Sequence, residues 1–302
     1  MSIQSNPRSG RPGHPTAALS RRALLAGTAA GAVGLSLAAC GKGKKAGSQA
    51  DSKTVTVVTH DSFHVSENLQ KAFTSETGYT LKIATSGDAG ALVNKLVLTK
   101  DAPLGDAVFG IDNTYATRAL DQGVIDTSAT VTLPKGAESY VVADTPALAP
   151  IDVGDVCLNI DTGYFTGKGL TPPATFEDLT KPEYKGLLVA INPTNSSPGM
   201  AWLLATIGHF GAGSFAGYWK QLMANGARIA EDWSAAYETD FSGSGKGTYP
   251  IVVSYASSPS FTVSKDKSSS STSALLDTAF RQVEYAGVLK GAANPEGGKA
   301  FV

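Results

Sequence analysis

The sequence is poor in the residues that most chemistry needs. It has two cysteines, Cys40 and Cys157, far apart and in no metal-binding spacing. It has no surplus of positive charge: 25 lysines and arginines stand against 26 acids, a formal net charge of -1, which excludes the basic footprint of a nucleic-acid binder. There is no Gly-x-Ser-x-Gly nucleophile elbow. The stretch Gly243-Ser-Gly-Lys246-Gly-Thr resembles a phosphate loop but fails as one. Asp240 stands where the first glycine is needed, and Gly247 where Ser or Thr must follow the lysine. His60 and His64 are four apart, yet no Cys or His cluster completes a metal set, so polar surface or pocket residues are the better reading. Cys157, between Val156 and Leu158, reads as an inert buried thiol ahead of a nucleophile. No catalytic residue, metal or cofactor is assigned. The remaining composition, 17% charged over 302 residues, suits a soluble globular protein of one or two domains.

The N-terminus reads as targeting. Arg8, Arg11, Arg21 and Arg22 form a positive region ahead of an Ala/Gly/Leu run, Ala23 to Ala39, too short and glycine-rich for a stable transmembrane helix. Ser20 to Leu25 looks like a twin-arginine export signal. Leu37-Ala38-Ala39-Cys40 looks like a lipobox, whose cysteine becomes the lipidated first residue; a generic signal with an incidental cysteine is the plainer alternative. Residues 1–39 are thus expected to be a signal peptide. Residues 40–53, rich in Gly, Lys and Ser, are expected to be a flexible tether.

The body alternates strand and helix signals. Thr54 to Thr59 is β-branched. Ser66 to Glu76 carries Leu69, Ala72 and Phe73 on one helical face and stops at Gly78. Thr80 to Ala84 is a strand, and Asp88 can cap a helix that turns Leu92, Leu96 and Val97 inward. Ala107 to Ile111 is a buried strand, and a short helix from Thr114 closes at Gly123. Such a βαβαβα run implies an α/β fold with a mostly parallel sheet, whose ligands bind beyond the carboxyl ends of the strands. His60-Asp61-Ser62, Ser86-Gly87-Asp88 and Asp112-Asn113 fall at those ends. Each alone is equally a cap or turn former, Asp88 above all.

Farther on, Ala149 to Asn159 reads as an extended crossing strand. Leu187 to Ile191 is a strand, followed by Ser196-Ser197-Pro198-Gly199 and a helix through Phe210. The two serines offer hydroxyls and free N–H groups at the positive end of that helix: an anion or polar-ligand site, or an ordinary N-cap. Phe215 to Ala224 is another helix. The stretch Glu231 to Phe261 organises the rest. Trp233 and Tyr255 are amphipathic aromatics flanked by small residues, and Ile251 to Val253 is a buried strand that must open into a loop at Pro259. It reads as a site for a flat cationic molecule, with ordinary core as the alternative for both rings. Ser264 to Ser273 is low-complexity loop. Leu275 to Leu289 is apolar-rich, and periodicity does not decide between helix and strand. Asn294-Pro295 reads as a fresh helix start, cut off after Phe301 and Val302.

From Val55 onward the chain resembles the thiamine-binding receptors of bacterial thiamine ABC transporters, within the type II periplasmic binding proteins. The resemblance rests on His60-Asp-Ser-Phe63, Gly110-Ile-Asp-Asn113, Asn192 to Gly199, Trp233-Ser-Ala-Ala-Tyr237 and Ser254-Tyr-Ala-Ser-Ser-Pro259. It implies two lobes with a ligand cleft between them, 54–151 with 264–302 and 152–263. It implies ligand contacts from Asp88, Ala89, Ser196, Ser197, Trp233, Tyr255, Ala256, Ser257, Ser258 and Pro259. His60 and Ala89 depart from the tyrosine and glycine common in relatives. The implied ligand is thiamine or its phosphates and the implied partner an ABC permease. The protein is not expected to be an enzyme, and is expected outside the cell membrane, held by lipid on Cys40. The resemblance also implies that such chains continue past Val302 into a segment that packs on the first lobe. The rivals are a thiamine-degrading enzyme of similar fold and a receptor for ferric iron or a polyamine.

Overall fold

The computed structural model describes residues 53–302. The twin-arginine segment, the lipobox at Cys40 and all of the tether but its last residue lie outside them. From Lys53 the chain lays down β1 (Thr54–Thr59), α1 (Glu67–Thr77), β2 (Thr80–Thr85), α2 (Ala89–Leu98), β3 (Ala107–Asp112) and α3 (Ala116–Asp121). Strand β1 pairs in parallel with both β2 and β3. All six residues of β3 are buried, between β1, to which it is parallel, and β8, to which it is antiparallel. Gly110 sits at a register shift in β3 with φ 97°. A Cβ there would come within 2.2 Å of the His60 ring, so glycine permits both the bulge and the seat of that imidazole.

The first helix departs from expectation. Ser66 caps it and Gly78 ends it in the left-handed conformation, but no residue of α1 is buried, and Leu69 is 61% exposed. Ala72 is exposed as well, and only Phe73 leans on the sheet. The reason is position. The helix lies over β2, the edge strand, whose own residues are at best half-buried, so there is little apolar surface for it to cover. By contrast, α2 buries Leu92 and Leu96 as read.

The middle of the chain runs through β4 (Ala149–Asp161), α4 (Thr162–Lys168), β5 (Leu188–Ile191), α5 (Ser197–Phe210), α6 (Phe215–Ala224), β6 (Arg228–Ala230) and β7 (Ile251–Tyr255). It closes with β8 (Thr272–Val288) and α7 (Pro295–Phe301). The open question over Leu275 to Leu289 resolves as strand: β8 is 17 residues long and antiparallel to β4 from Ala149↔Ala286 to Asp161↔Thr272. The strand order is β2-β1-β3-β8-β4-β7-β5-β6. Asn294 caps α7 through a 2.9 Å bond from Gly297 N, as its sequence predicts.

Two large cores lie along this one sheet, beside a smaller cluster of Val55, Val57, Ala107, Phe109 and Ala286. The first gathers Leu92, Val108, Ile111, Ile125, Leu148, Tyr285 and Leu289. The second gathers Leu158, Val189, Ile191, Trp202, Phe241 and Ile251 to Val253. These are two α/β lobes, joined by β4 and β8, which belong to both. Residues 264–302, expected in the first lobe, touch both cores. Thr272 to Leu275 pair with the Leu158–Asp161 end of β4, and Leu275 and Phe280 pack on the second core, while Val283 to Leu289 serve the first.

Burial separates two leucines that the sequence treats alike. Leu92→Ala should cost about 2–5 kcal/mol in urea unfolding, the range for a large-to-small core change. Leu69→Ala should stay within about 0.5 kcal/mol of the parent, as exposed positions do. A large loss at Leu69 would show that α1 is covered in solution.

Candidate functional site

Because β1, β2 and β3 run parallel, their carboxyl ends present His60, Asp88 and Asp112 on one edge of the first lobe. Opposite them stand the start of α5, the π-helical turn Ala235–Asp240 with Trp233 just ahead of it, and the loop after β7. Between the two sides lies a cavity of about 950 Å³. It is at the upper end of the range for small-molecule sites.

Asp88 is the point where the lobes meet. Its Oδ1 accepts from Ala89 N at 2.6 Å, capping α2, and its Oδ2 accepts from Trp233 N of the other lobe at 3.1 Å. Burial raises its pKa, opposed by the Ser196 hydroxyl, these two N–H groups and His60. Asp88 is thus both cap and clasp, so the alternative readings of it are both realised. Asp112 does the same work deeper in. It is fully buried and accepts from the Ser197 hydroxyl of α5 and from Thr114 N and Oγ1. Gln282 Nε2 on β8 donates to that same Ser197 oxygen at 2.6 Å. Burial pushes Asp112 up to about 6, and Glu284 adds to the effect. Behind these bonds the backbones nearly touch. Ala91 N donates to Asn195 O at 3.0 Å, and a Cβ on Gly90 would lie 2.7 Å from the Asn195 carbonyl carbon.

The aromatic wall is held by hydrogen bonds. Trp233 stacks on Tyr237 at 5.0 Å and 11°, and its Nε1 donates to Ser254 Oγ at 2.9 Å. Ser254 Oγ and Ser258 Oγ are 2.8 Å apart, and Tyr255 N donates to Ser258 Oγ at 3.2 Å. Small hydroxyl residues at the end of β7 and just after it therefore hold the Trp233 ring and the Tyr255 backbone at the cavity. Burial raises the Tyr255 phenol well above its ordinary value, and Glu284, Asp88 and Asp112 reinforce it, so it stays neutral.

Of the residues picked from the sequence, Asp88, Ala89, Ser197, Trp233, Tyr255, Ser257 and Ser258 line the cavity together. Ser196, Ala256 and Pro259 stand behind it. Ser196 is fully buried, and Ala256 N is spent on Asp155 O at 2.8 Å. The sequence reading missed Asp152, Tyr237, Phe261, Gln282 and Glu284, which also line the cavity. Gln282 and Glu284 alternate with Val283 and Tyr285, the period-two pattern of a strand with one face to a core and one to a ligand. That signal is legible only once β8 is known to be a strand. Cys157 is fully buried, its thiol pushed up to about 12 by burial, and it does not line the cavity.

A family model described as bacterial extracellular solute-binding protein matches residues 106–272. The chain is similar to the thiamine-binding periplasmic protein of Escherichia coli (strain K12), 25% identical over 258 residues, 82% of this chain and 74% of that one. It is similar to the protein of the same description from Brucella suis biovar 1, 28% identical over 219 residues, 69% of this chain and 60% of that one. Among solved structures it resembles a periplasmic thiamin binding protein, with a TM-score of 0.69 and 24% identity over 82% of this chain and 76% of that one. It also resembles iron-bound HitA from Pseudomonas aeruginosa, with a TM-score of 0.60 and 18% identity over 82% and 79%.

Asp112 makes stability depend on pH. Its folded-state value of about 6 lies above its ordinary 3.8, so the folded protein holds a proton there that the unfolded chain has released. That contribution is fully present below about pH 4 and lost as pH rises through about 6. Asp152, raised to about 6, adds in the same direction. Asp112→Asn should flatten the fall in unfolding free energy between pH 4 and 7, measured by urea unfolding at each pH. An unchanged slope would mean that Asp112 is ionised throughout.

Proposed function

This chain belongs to the bacterial extracellular solute-binding protein family, and from that premise we propose that it captures thiamine outside the cytoplasmic membrane and delivers it to an ABC importer. The observation that carries the reading is the make-up of the cleft. Asp61, Asp88, Asp152, Glu238 and Glu284 line it with Trp233, Tyr237, Tyr255 and Phe261, and no lysine or arginine does. Thiamine is a flat aminopyrimidine joined to a permanently cationic thiazolium. Aromatic faces hold such a cation at roughly 0.5–2 kcal/mol each. The aminopyrimidine would bond to polar groups at the strand ends, with Asp88 as an acceptor. The hydroxyethyl tail, free or phosphorylated, would face Ser197 at the start of α5. Closure of the lobes would bend β4 near Ile151 to Val153 and the loop after β7. The relatives described as thiamine-binding support this ligand.

Acid-lined clefts also suit polyamines, and similarity in fold extends to a putative spermidine/putrescine transporter protein, so spermidine is the fitting control. A cysteine-dependent thiamine-degrading enzyme is disfavoured by the burial of Cys157 away from the cleft. Thiamine added to the purified protein should quench or shift tryptophan fluorescence, and spermidine should not compete. Trp233→Ala should weaken thiamine binding by about 1–3 kcal/mol, as loss of a central aromatic anchor does. Equal affinity of parent and variant would show that the ring is not the anchor.

Anchoring is part of the proposal. The lipobox and the polar spacer after it support a lipid on Cys40 that holds the protein at the outer face of the membrane. Cys40→Ser should move the protein from the membrane fraction to the soluble exported fraction. Retention in the membrane fraction would rule out the lipid.

A further inference from the structure

Two carboxylates in the cleft stand where sheet energetics would not place them. Asp152 on β4 and Glu284 on β8 are direct register partners across the antiparallel ladder. Like charges directly opposite on neighbouring strands destabilise a sheet. A register shift separates Pro150 from Asp152, and the pair sits beside it, where the two strands cross from one lobe to the other. Both residues line the cavity.

Between them the two carboxylates have one cationic neighbour, His60. The carboxylate of Asp152 accepts no hydrogen bond and makes no ion pair among the described residues. Glu284 has His60, whose Nε2 lies 3.6 Å from Oε1, within ion-pair reach though beyond hydrogen-bond length; burial lowers the His60 pKa, but Glu284, Asp88 and Asp61 outweigh it and the value is raised. That nitrogen is buried and has no hydrogen-bond partner. Asp112 faces Glu284 and Asp88 lines the same cavity; both are acidic, and both are already bonded to the opposite lobe. Arg281, the nearest arginine along β8, points elsewhere and pairs with Asp155. The crossing strands thus present an excess of negative charge to a cavity without lysine or arginine.

We propose that Asp152 and Glu284 form the counter-charge for the ligand's cation, a specificity pair that makes the cleft prefer a cationic ring to a neutral one of the same shape. This rests on the thiamine reading above and adds to it a role for two residues of the strands that join the lobes. The rings of Trp233 and Tyr255 supply faces for a flat ligand, while the carboxylate pair supplies the charge. Because the pair lies on strands common to both lobes, it meets the cation however far the lobes have closed. His60 would then be released from Glu284 as the ligand's cation takes its place.

The test separates charge from shape. Thiamine affinity is measured by calorimetry for the parent, for Asp152→Asn and Glu284→Gln, which keep shape and lose charge, and for Asp152→Glu and Glu284→Asp, which keep charge and change shape. The expected result is a loss of roughly tenfold or more for each amide variant and a loss of less than about threefold for each acid variant. The amide variants should also melt at the same or a higher temperature without ligand, since they relieve repulsion; this shows that they fold. Amide variants that bind as the parent does would overturn the proposal. So would acid and amide variants that lose affinity equally, which would mark a role in shape alone. If the parent itself fails to bind thiamine, the thiamine reading falls, and the pair's role with it. If the parent binds and the amides do too, only the pair is wrong.

Discussion

The cleft is defined by two acids, Asp112 buried and Asp88 half-buried, that bond across it. Asp88 and Asp112 belong to the first lobe, but their oxygens accept from Trp233 N and from the Ser197 hydroxyl of the second. A buried carboxylate without such partners costs far more than it returns. The second lobe therefore satisfies groups that the first cannot satisfy alone. Along that seam Ala89 and Ser197 come into one cavity, Gly90 meets Asn195, and Trp233 takes its place in the cavity wall. Separation of the lobes would leave both acids to water or to a proton.

The second lobe answers with a different economy. Its polar groups near the rings are hydroxyls, and they bond mainly to each other and to the backbone. Ser254 and Ser258 spend themselves on Trp233, on Tyr255 N and on one another. Such a network fixes ring positions before a ligand arrives and so reduces the ordering cost of binding. Most acids of the cavity come from the crossing strands and the first lobe, and its stacked aromatic rings, Trp233 and Tyr237, from the second.

Much of this was legible in the sequence, and the reason is local chemistry. Asp88 and Asn294 announce helix starts because a cap is decided within three residues. Ile251 to Val253 announce a buried strand because β-branched residues in a short run fit little else. The Trp233 and Tyr255 stretches carry an aromatic pocket in their composition. What escaped depends on partners far away in the chain. Leu69 sits in a good helix, but its exposure follows from α1 lying over an edge strand. Glu284 means little until β8 is a strand and Asp152 is its neighbour, and the helix-or-strand ambiguity of Leu275 to Leu289 hid both facts. The shared ownership of β8 escaped for the same reason: a boundary drawn along the sequence cannot show a strand serving two cores.

That shared strand governs when the molecule can become itself. In the sheet, β8 stands between β3 and β4, so the first three strands have no link to the fourth until residues 272–288 have joined. The first lobe lacks Val283, Tyr285 and Leu289 from its core until then, and the second lacks Leu275 and Phe280. A chain emerging from the ribosome would hold a half-built first lobe, with the edge of β3 open, from the making of β3 until β8 arrives, and a half-built second lobe beside it from β7 onward. Closure of so long a loop is slow, and exposed edges invite wrong pairing meanwhile. The same two strands that join the finished lobes also delay their completion, because the sheet cannot close before β8 is made.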